Sequence, residues 1–207
     1  TGMGYREANW SLPRAEQIIM GRQHIYDGTW EKTPSMGWMF VPLTEYQGGG
    51  AAATMEPLRE HLAAYEAHLV NNLGAGVQAC YRGPRLYDSE ETRAMVKRWV
   101  NWFKEYREIL ESDVIHLRRA DARDWDGVLH VNAGLARCGL AMLYNPLRTP
   151  IRRTVRLPLY YTGLTESARV REQGGEGVVY RLARDYAIEV PVTIPAEGRT
   201  WLVIEGP

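Results

Sequence analysis

The segment MGWMFVPL at residues 36–43 is apolar from end to end, as expected for a β-strand that is buried on both faces. A second short apolar segment, GVQACY at residues 76–81, follows it after an intervening helical pattern. The order strand, helix, strand is typical of a βαβ unit, in which two neighbouring strands run parallel. These two segments therefore predict a parallel sheet in the first half of the chain.

Three helical patterns accompany these strands. The first has Ser11 as a candidate cap, Pro13 in its first turn and apolar residues at helical spacing, namely Ala15, Ile18, Ile19, Ile25 and Tyr26. The second starts near Thr54, ends around residues 71–74, and carries the apolar stripe Leu58, Leu62, Tyr65 and Leu69. Together with the two strands, they predict β/α units.

The third helical pattern is the most regular. Asp88 and Glu91 have the spacing of a capping box, and Ser89 is the alternative cap. One face stays apolar for about six turns. Its residues are Met95, Val96, Trp99, Trp102, Phe103, Tyr106, Ile109 and Leu110.

After Ser112 the hydrophobic period changes from that of a helix to that of a strand. Short apolar or alternating segments recur between turn signals, at residues 114–117, 127–131, 140–144, 154–159, 178–182, 187–192 and 200–204. Many short strands without a helical pattern indicate a β-sandwich. The predicted fold class is thus α/β followed by all-β. Residues 1–111 form the C-terminal β/α units of a (β/α)8 barrel, and residues 112–207 form a C-terminal antiparallel β-sandwich.

Composition excludes several classes of function. The formal net charge is zero, so we expect no binding to nucleic acid and no attraction to an acidic membrane. No segment reaches the roughly 20 apolar residues of a membrane span. The sequence contains two cysteines, so it neither requires nor excludes a disulfide, and the location stays undetermined, with a bacterial periplasm or secretion as the alternatives considered. Seven Trp and twelve Tyr against two Phe suit sugar rings, but equally suit half-buried strands.

Candidate functional residues follow from the rule that barrel active sites lie on the loops after the strands. The loop after the first strand carries Glu45, Tyr46 and Gln47, followed by three glycines. The loop after the second strand carries Tyr81, Arg82 and Arg85, and the opening segment is a third such loop with Arg6, Glu7, Asn9 and Trp10. Carboxylates, guanidinium groups and aromatic rings together can hold a sugar, so all these residues except the two glutamates are predicted to bind substrate.

Glu7 and Glu45 are the candidate catalytic residues, because glycoside cleavage usually needs two carboxyl groups across the scissile bond. Structural alternatives stay open: Glu45 can pair with Arg82, and Glu7 with Arg6 or Arg14. No metal site and no cofactor are expected. His61 and His68 lie two helical turns apart, and His116 and His130 have no second ligand nearby in sequence.

Several segments resemble large bacterial proteins related to alpha-galactosidase-type glycoside hydrolases. In the first half they are GWMFVPL at 37–43, EYQGGGAAAT at 45–54 and GVQACYRG at 76–83; in the second half they are LYNPL at 143–147, LPLYYTGL at 157–164 and TIP at 193–195. The resemblance implies a retaining hydrolase with two acidic side chains on barrel strands. The usual positions of these side chains are on the middle strands, and most of those positions would precede Thr1. Gln47 departs from the histidine that this family often has, which weakens a role for that position.

Two partners and two alternative functions follow. A barrel needs eight strands and about 250 residues, so the remaining barrel strands are expected from a missing N-terminal segment or a separate chain; the other partner is a carbohydrate substrate. The first alternative is a non-catalytic carbohydrate-binding module that uses Trp125, Tyr160, Tyr161 and Trp201. We expect these rings, however, to fill the sandwich core or its contact with the barrel. The second is a structural subunit assembled with a hydrolase-like partner.

Overall fold

The computed structural model describes residues 12–36, 38–42 and 55–207. The chain divides after Glu111 into two compact units, the second being Ser112–Pro207. The described residues of the first unit form helices and a pair of strands, and the second unit is built from antiparallel strands. None of the helices within these ranges combines the length and the apolar character needed to cross a membrane.

The first unit contains the predicted βαβ arrangement. Its strands pair in parallel with the register Trp38↔Gln78 to Pro42↔Arg82, so they start and end together. A helix lies between them in the chain, after a 3-10 turn at Leu58–His61. The elements are α1 (Arg14–Gly28), β1 (Trp38–Pro42), α2 (Leu62–Leu73), β2 (Gln78–Arg82) and α3 (Glu90–Leu110).

Helix α1 buries Ile25 of the predicted apolar face, but polar residues are buried beside it. Ala15 is exposed and Ile18 is only half-buried, whereas Gln17 and Arg22 are buried. The polar face is accommodated because its neighbours supply hydrogen bonds: the Gln17 amide donates to the carbonyl of Leu12 at 2.6 Å. The expected cap Ser11 lies outside the described residues, and α1 begins after Pro13 without a side-chain cap.

Helix α3 begins with the alternative cap. Ser89 is its N-cap, and the Ser89 Oγ accepts from the Thr92 N–H at 3.2 Å, while the Thr92 Oγ1 accepts from the Ser89 N–H at 3.1 Å. Asp88 instead accepts a hydrogen bond from the Arg59 N–H at 3.2 Å. The predicted Asp88–Glu91 pair is therefore wrong, because Thr92 takes the position that completes the reciprocal bonds.

The second unit consists of two antiparallel sheets. Six strands form one sheet in the order β3-β4-β5-β10-β7-β8, and β6 pairs with β9 to form the other. The strands are β3 (Asp113–Arg118), β4 (Asp126–Val131), β5 (Arg137–Tyr144), β6 (Ile151–Pro158), β7 (Ser167–Glu172), β8 (Gly177–Arg181), β9 (Ala187–Ile194) and β10 (Arg199–Glu205). Strand β7 was not predicted, since Ala168 and Val170 are its only buried residues and charged side chains surround them.

An apolar core lies between the two sheets. It joins alternate residues of six strands, including Leu129, Leu143, Leu157, Val190 and Ile204. All six residues of β4 are buried, and so are all residues of β5 after the first. After its first residue β5 is a continuous apolar segment for that reason, whereas β4 also buries Asp126 and His130. Strands β6 and β9 show the alternation of a sheet with one exposed face.

Asn145 connects the loops at one end of the sandwich through hydrogen bonds of its side chain. It follows β5 and is buried. Its side-chain amide donates to the carbonyls of Thr149 and Pro195, each at 2.9 Å, and lies 3.3 Å from the carbonyl of Ile194. The side-chain oxygen of Asn145, Oδ1, accepts from the Leu147 N–H at 2.9 Å. Asparagine suits this position because one side chain supplies both donors and an acceptor.

Candidate functional site

The loops after β1 and β2 begin at the same edge of the parallel pair. The last residues of the two strands, Pro42 and Arg82, are partners in the register. In parallel sheets, ligands bind outside the carboxyl ends of the strands, so this edge is the candidate site. Of the predicted residues, Arg6, Glu7, Asn9, Trp10, Glu45, Tyr46 and Gln47 lie outside the described residues. The structure describes Tyr81 and Arg82 in β2 and Arg85 on the loop that follows.

Arg85 is paired with a carboxylate that the sequence analysis did not single out. Its Nε donates to Glu56 Oε1 at 3.1 Å and its Nη2 to Glu56 Oε2 at 3.4 Å. The hydrogen bond and the charge of Glu56 raise the pKa of the Arg85 guanidinium. Glu56 comes just before the turn that leads into α2. The pair therefore joins the loop after β2 to the segment into which the loop after β1 runs.

Tyr65 provides a second connection to the same loop. This fully buried residue of α2 donates from its hydroxyl to the carbonyl of Leu86 at 2.9 Å. Burial raises the pKa of Tyr65 well above its ordinary value, so the phenol stays neutral and remains a donor. In the sequence, Tyr65 belongs to the apolar stripe of this helix. Its polar role depends on the folded position of Leu86, which the sequence pattern does not indicate.

Tyr81 presents a buried hydroxyl near the end of β2. The hydroxyl oxygen is closed off from solvent and has no hydrogen-bond partner among the residues that the structure describes. Burial raises its pKa, and the nearby Tyr65 raises it further. A buried hydroxyl without a partner is costly. The predicted role of Tyr81 in substrate binding stays a prediction.

The loop at residues 83–88 is thus held in a defined position. Arg85 binds Glu56, Leu86 accepts from Tyr65, and Asp88 accepts from the Arg59 N–H. All three partners lie at or near the start of α2, which is the element between the two strands. A loop fixed in this way can present side chains to a ligand at the carboxyl edge without further ordering.

A second concave region lies in the sandwich. It measures about 340 Å³ and is lined by residues of β6 and β9 together with Glu172. Its charged groups are largely committed within the protein: Arg153 binds Asp124 at 3.0 Å, and Glu172 accepts from the Thr200 hydroxyl at 2.7 Å. This region is therefore the weaker candidate. Within the described ranges, no three His, Cys, Asp or Glu side chains come together in a way that could hold a metal ion.

Comparison with known proteins gives matches in structure alone. No protein-family model matches this sequence, and no curated protein matches it either. The GH36 α-galactosidase AgaA from Geobacillus stearothermophilus, solved with raffinose, matches with a TM-score of 0.61 at 14% identity over 91% of this chain and 24% of its own. The α-galactosidase from Lactobacillus brevis matches with a TM-score of 0.57 at 15% identity over 92% of this chain and 25% of its own.

A GH27 enzyme shares the fold as well. The GH27 β-L-arabinopyranosidase from Geobacillus stearothermophilus matches with a TM-score of 0.57 at 11% identity, over 95% of this chain and 44% of its own. At these identities the likeness shows the fold alone. The resemblance to alpha-galactosidase-type hydrolases is confirmed at that level, as helices followed by antiparallel sheets. This chain spans about a quarter of the length of the α-galactosidases, 24% for AgaA.

Proposed function

We propose that this chain is the C-terminal segment of a glycoside hydrolase of the alpha-galactosidase type. Residues 1–111 supply β/α units and sugar-binding loops of a barrel, and residues 112–207 supply the accompanying sandwich. The observation that carries the proposal is the parallel pairing of β1 with β2, which starts both following loops at one edge. The shared fold with enzymes that are all glycoside hydrolases supports it.

In this proposal the candidate carboxylates keep the roles that their loops suggest. Glu45 follows β1 in the sequence, and Glu7 belongs to the opening segment. A pair of carboxyl groups across the glycosidic bond can act as nucleophile and as general acid and base. Arg6, Asn9, Trp10, Tyr46, Gln47, Tyr81 and Arg82 bind the sugar. Arg85 stays a predicted sugar-binding residue as well, and its pairing with Glu56 holds the guanidinium in position.

The barrel requires strands beyond the two that the described part of the first unit provides. A closed β/α barrel has eight parallel strands. We therefore propose that the remaining strands belong to the rest of a longer polypeptide or to a separate chain. A structural subunit without catalytic groups is the alternative, and the experiment below separates the two.

The test starts with the protein isolated under native conditions from its source. We expect it in a species heavier than the 23.6 kDa of this chain, and we expect that species to hydrolyse aryl α-galactosides. The 207-residue chain alone should be inactive, because the barrel is incomplete. A native species of 23.6 kDa without partners would overturn the proposal, and an inactive heavier complex would favour the structural subunit.

Substitutions in the active complex then test the carboxylates. Glu45→Gln or Glu7→Gln should lower kcat by about 100-fold or more if the residue transfers a proton or attacks the sugar. Glu60→Gln is the matched control, since Glu60 is exposed on the turn before α2. Unchanged rates for both Glu7→Gln and Glu45→Gln would remove them as catalytic residues.

A further inference from the structure

Three tyrosines cluster at one end of the β6–β9 pair. Tyr160 and Tyr161 lie in the 3-10 turn after β6, and Tyr186 precedes β9. The ring centroids of Tyr160 and Tyr161 are 5.1 Å apart, and those of Tyr160 and Tyr186 are 5.4 Å apart. Tyr160 and Tyr161 are each 62% exposed, so their rings do not fill the sandwich core, and the expected contact with the barrel stays a prediction. Trp125, by contrast, packs against the core as expected.

Buried groups beneath the rings hold the tyrosine cluster in place. Leu159 is fully buried, and its N–H donates to the carbonyl of Tyr186 at 2.9 Å. The buried Thr162 hydroxyl donates to the carbonyl of Leu159 at 2.6 Å. Gly163 then closes the turn at a φ of 78°, which glycine adopts without strain. The exposed rings therefore stand on a fixed backbone, which lowers the entropy lost when a ligand binds.

Tyr186 itself occupies an unfavourable backbone region. Its φ is 60°, in the left-handed region where bulky residues are rare and pay roughly 1 kcal/mol or more of strain. Glycine or asparagine would suit this turn better. The strained conformation places the phenol ring edge-to-face with Tyr160, at an interplanar angle of 79°. Gln173 and Glu197 also have positive φ in turns of this unit, so the left-handed conformation belongs to the turn, which sets the orientation of the ring.

A charged rim of two carboxylates and one guanidinium adjoins the tyrosine cluster. Asp185 accepts from the Ala187 N–H at 3.2 Å and is paired with Arg156. Arg156 also lies 3.8 Å from Glu189. The two carboxylates and the one guanidinium are paired with one another, so the rim has no excess positive charge for an anionic ligand. Carboxylate oxygens and guanidinium N–H groups can, however, bond to hydroxyl groups at the rim.

We propose that the tyrosine cluster is a binding surface for a soluble neutral oligosaccharide. A pyranose ring has an apolar face that stacks on an aromatic ring and hydroxyl groups that reach polar neighbours. The rings meet at 89° and 79° rather than forming a flat row. An angled surface fits a flexible chain in solution better than the flat face of a crystalline polymer. This surface would act without any bond being cleaved.

Affinity electrophoresis of the full chain in native gels tests the proposal. The gels contain one of two soluble neutral polysaccharides, a galactomannan or an amylose-type glucan. At least one polysaccharide should retard the chain, and Tyr160→Ala or Tyr161→Ala should weaken the apparent affinity on the order of tenfold. Tyr161→Phe keeps the ring and should keep most of the retardation. Circular dichroism confirms that each variant is folded.

Val179→Ala is the control, since Val179 is 53% exposed on β8 of the same unit. Equal loss with Val179→Ala, retardation that survives Tyr160→Ala and Tyr161→Ala together, or no retardation of the parent chain would each overturn the proposal. The last result would leave a protein as the occupant of this surface. Because the readout needs no hydrolysis, failure here is distinguishable from failure of the proposed catalytic function.

Discussion

The sandwich and the helices of the first unit bury different kinds of side chain. Between the two sheets the buried residues form one apolar cluster drawn from six strands. Where α1 meets α2 the buried residues include polar ones, among them Gln17, Arg22, His68 and Asn71. The Asn71 amide donates across this contact to the carbonyl of Ile18 at 3.0 Å. The two units therefore depend on different forces.

This difference teaches what each unit needs to be stable. Apolar burial stabilises by about 25 cal/mol per Å² without any demand on pairing. Buried polar groups stabilise only when their hydrogen bonds are made, and they cost energy when they are not. We infer that the sandwich is stable by itself, chiefly through its apolar core and in part through buried hydrogen bonds such as those of Asn145, whereas the first unit is the more sensitive to pH.

The largest effect is expected from Leu157→Ala in the sandwich core. Leu157 is fully buried, and its truncation should lower the free energy of unfolding by about 2–5 kcal/mol. Hydrogen exchange of peptides from each unit along a urea series measures this loss. We expect the loss only in peptides from 112–207; equal loss in both units would contradict their independence. Arg156→Ala, on the exposed face of the same strand, should cost less than about 1 kcal/mol.

The next effect concerns the polar contact of α2. Burial, together with the positive charge of Arg22, lowers the pKa of His68 to about 4. The unfolded chain binds a proton near pH 6.5, so stability is fully present above that pH and falls as the pH drops towards 4. The loss should be on the order of 2–3 kcal/mol and confined to the first unit.

Urea unfolding at a series of pH values between 7 and 4, followed for each unit, measures this slope. His68→Gln replaces the titrating ring with a neutral amide and should flatten the slope for the first unit. A slope that is unchanged in His68→Gln would show that other groups carry the pH dependence.

Asn145→Ala is expected to have an intermediate effect on the sandwich. It removes the donors for the carbonyls of Thr149 and Pro195 and should cost about 1–3 kcal/mol, measured as a lower Tm. Asn145→Asp tests the loss of the N–H donors without a change in side-chain size. The carboxylate keeps the acceptor for the Leu147 N–H but faces the carbonyls of Thr149 and Pro195 without a donor. We expect Asn145→Asp to be at least as destabilising. Stability equal to the parent chain would show that these hydrogen bonds are not needed.

The smallest effect is expected at the start of α3. Ser89→Ala removes one side of the reciprocal cap and should cost about 1 kcal/mol, while Ser89→Gly should cost only a few tenths. Urea unfolding of the first unit measures both. Glu91→Gln leaves the observed cap intact and should change little. A larger loss from Glu91→Gln than from Ser89→Ala would restore the Asp88–Glu91 pair as the cap.

Much of the fold could be predicted, because hydrophobic period reports burial directly. The apolar segment at 36–43 and the regular face of α3 led to the correct element types. The sequence pattern did not predict segments whose buried residues are polar or few in number. Besides Ile25, the buried residues of α1 include Gln17 and Arg22, and β7 buries only Ala168 and Val170. Neither pattern differs from an exposed segment until its partners in the fold are known.

The candidate site was less accessible to prediction. The carboxyl-edge rule located the loop after β2, but the pairing of Arg85 with Glu56 joins residues 29 positions apart. That contact depends on the path of the chain through α2, which no local pattern encodes. The exposure of Tyr160 and Tyr161 was likewise hidden, since an apolar or aromatic residue beside a strand is usually buried.

Strand β8 has a practical consequence for handling this protein. It ends the six-stranded sheet, and its Val178 and Val179 are both more than half exposed. An apolar strand at a sheet edge offers unpaired backbone groups to any other extended chain, and proteins often protect such edges with charge. Concentrated stocks should therefore form larger particles over days, visible by light scattering. Val179→Lys should extend the usable concentration without touching the core.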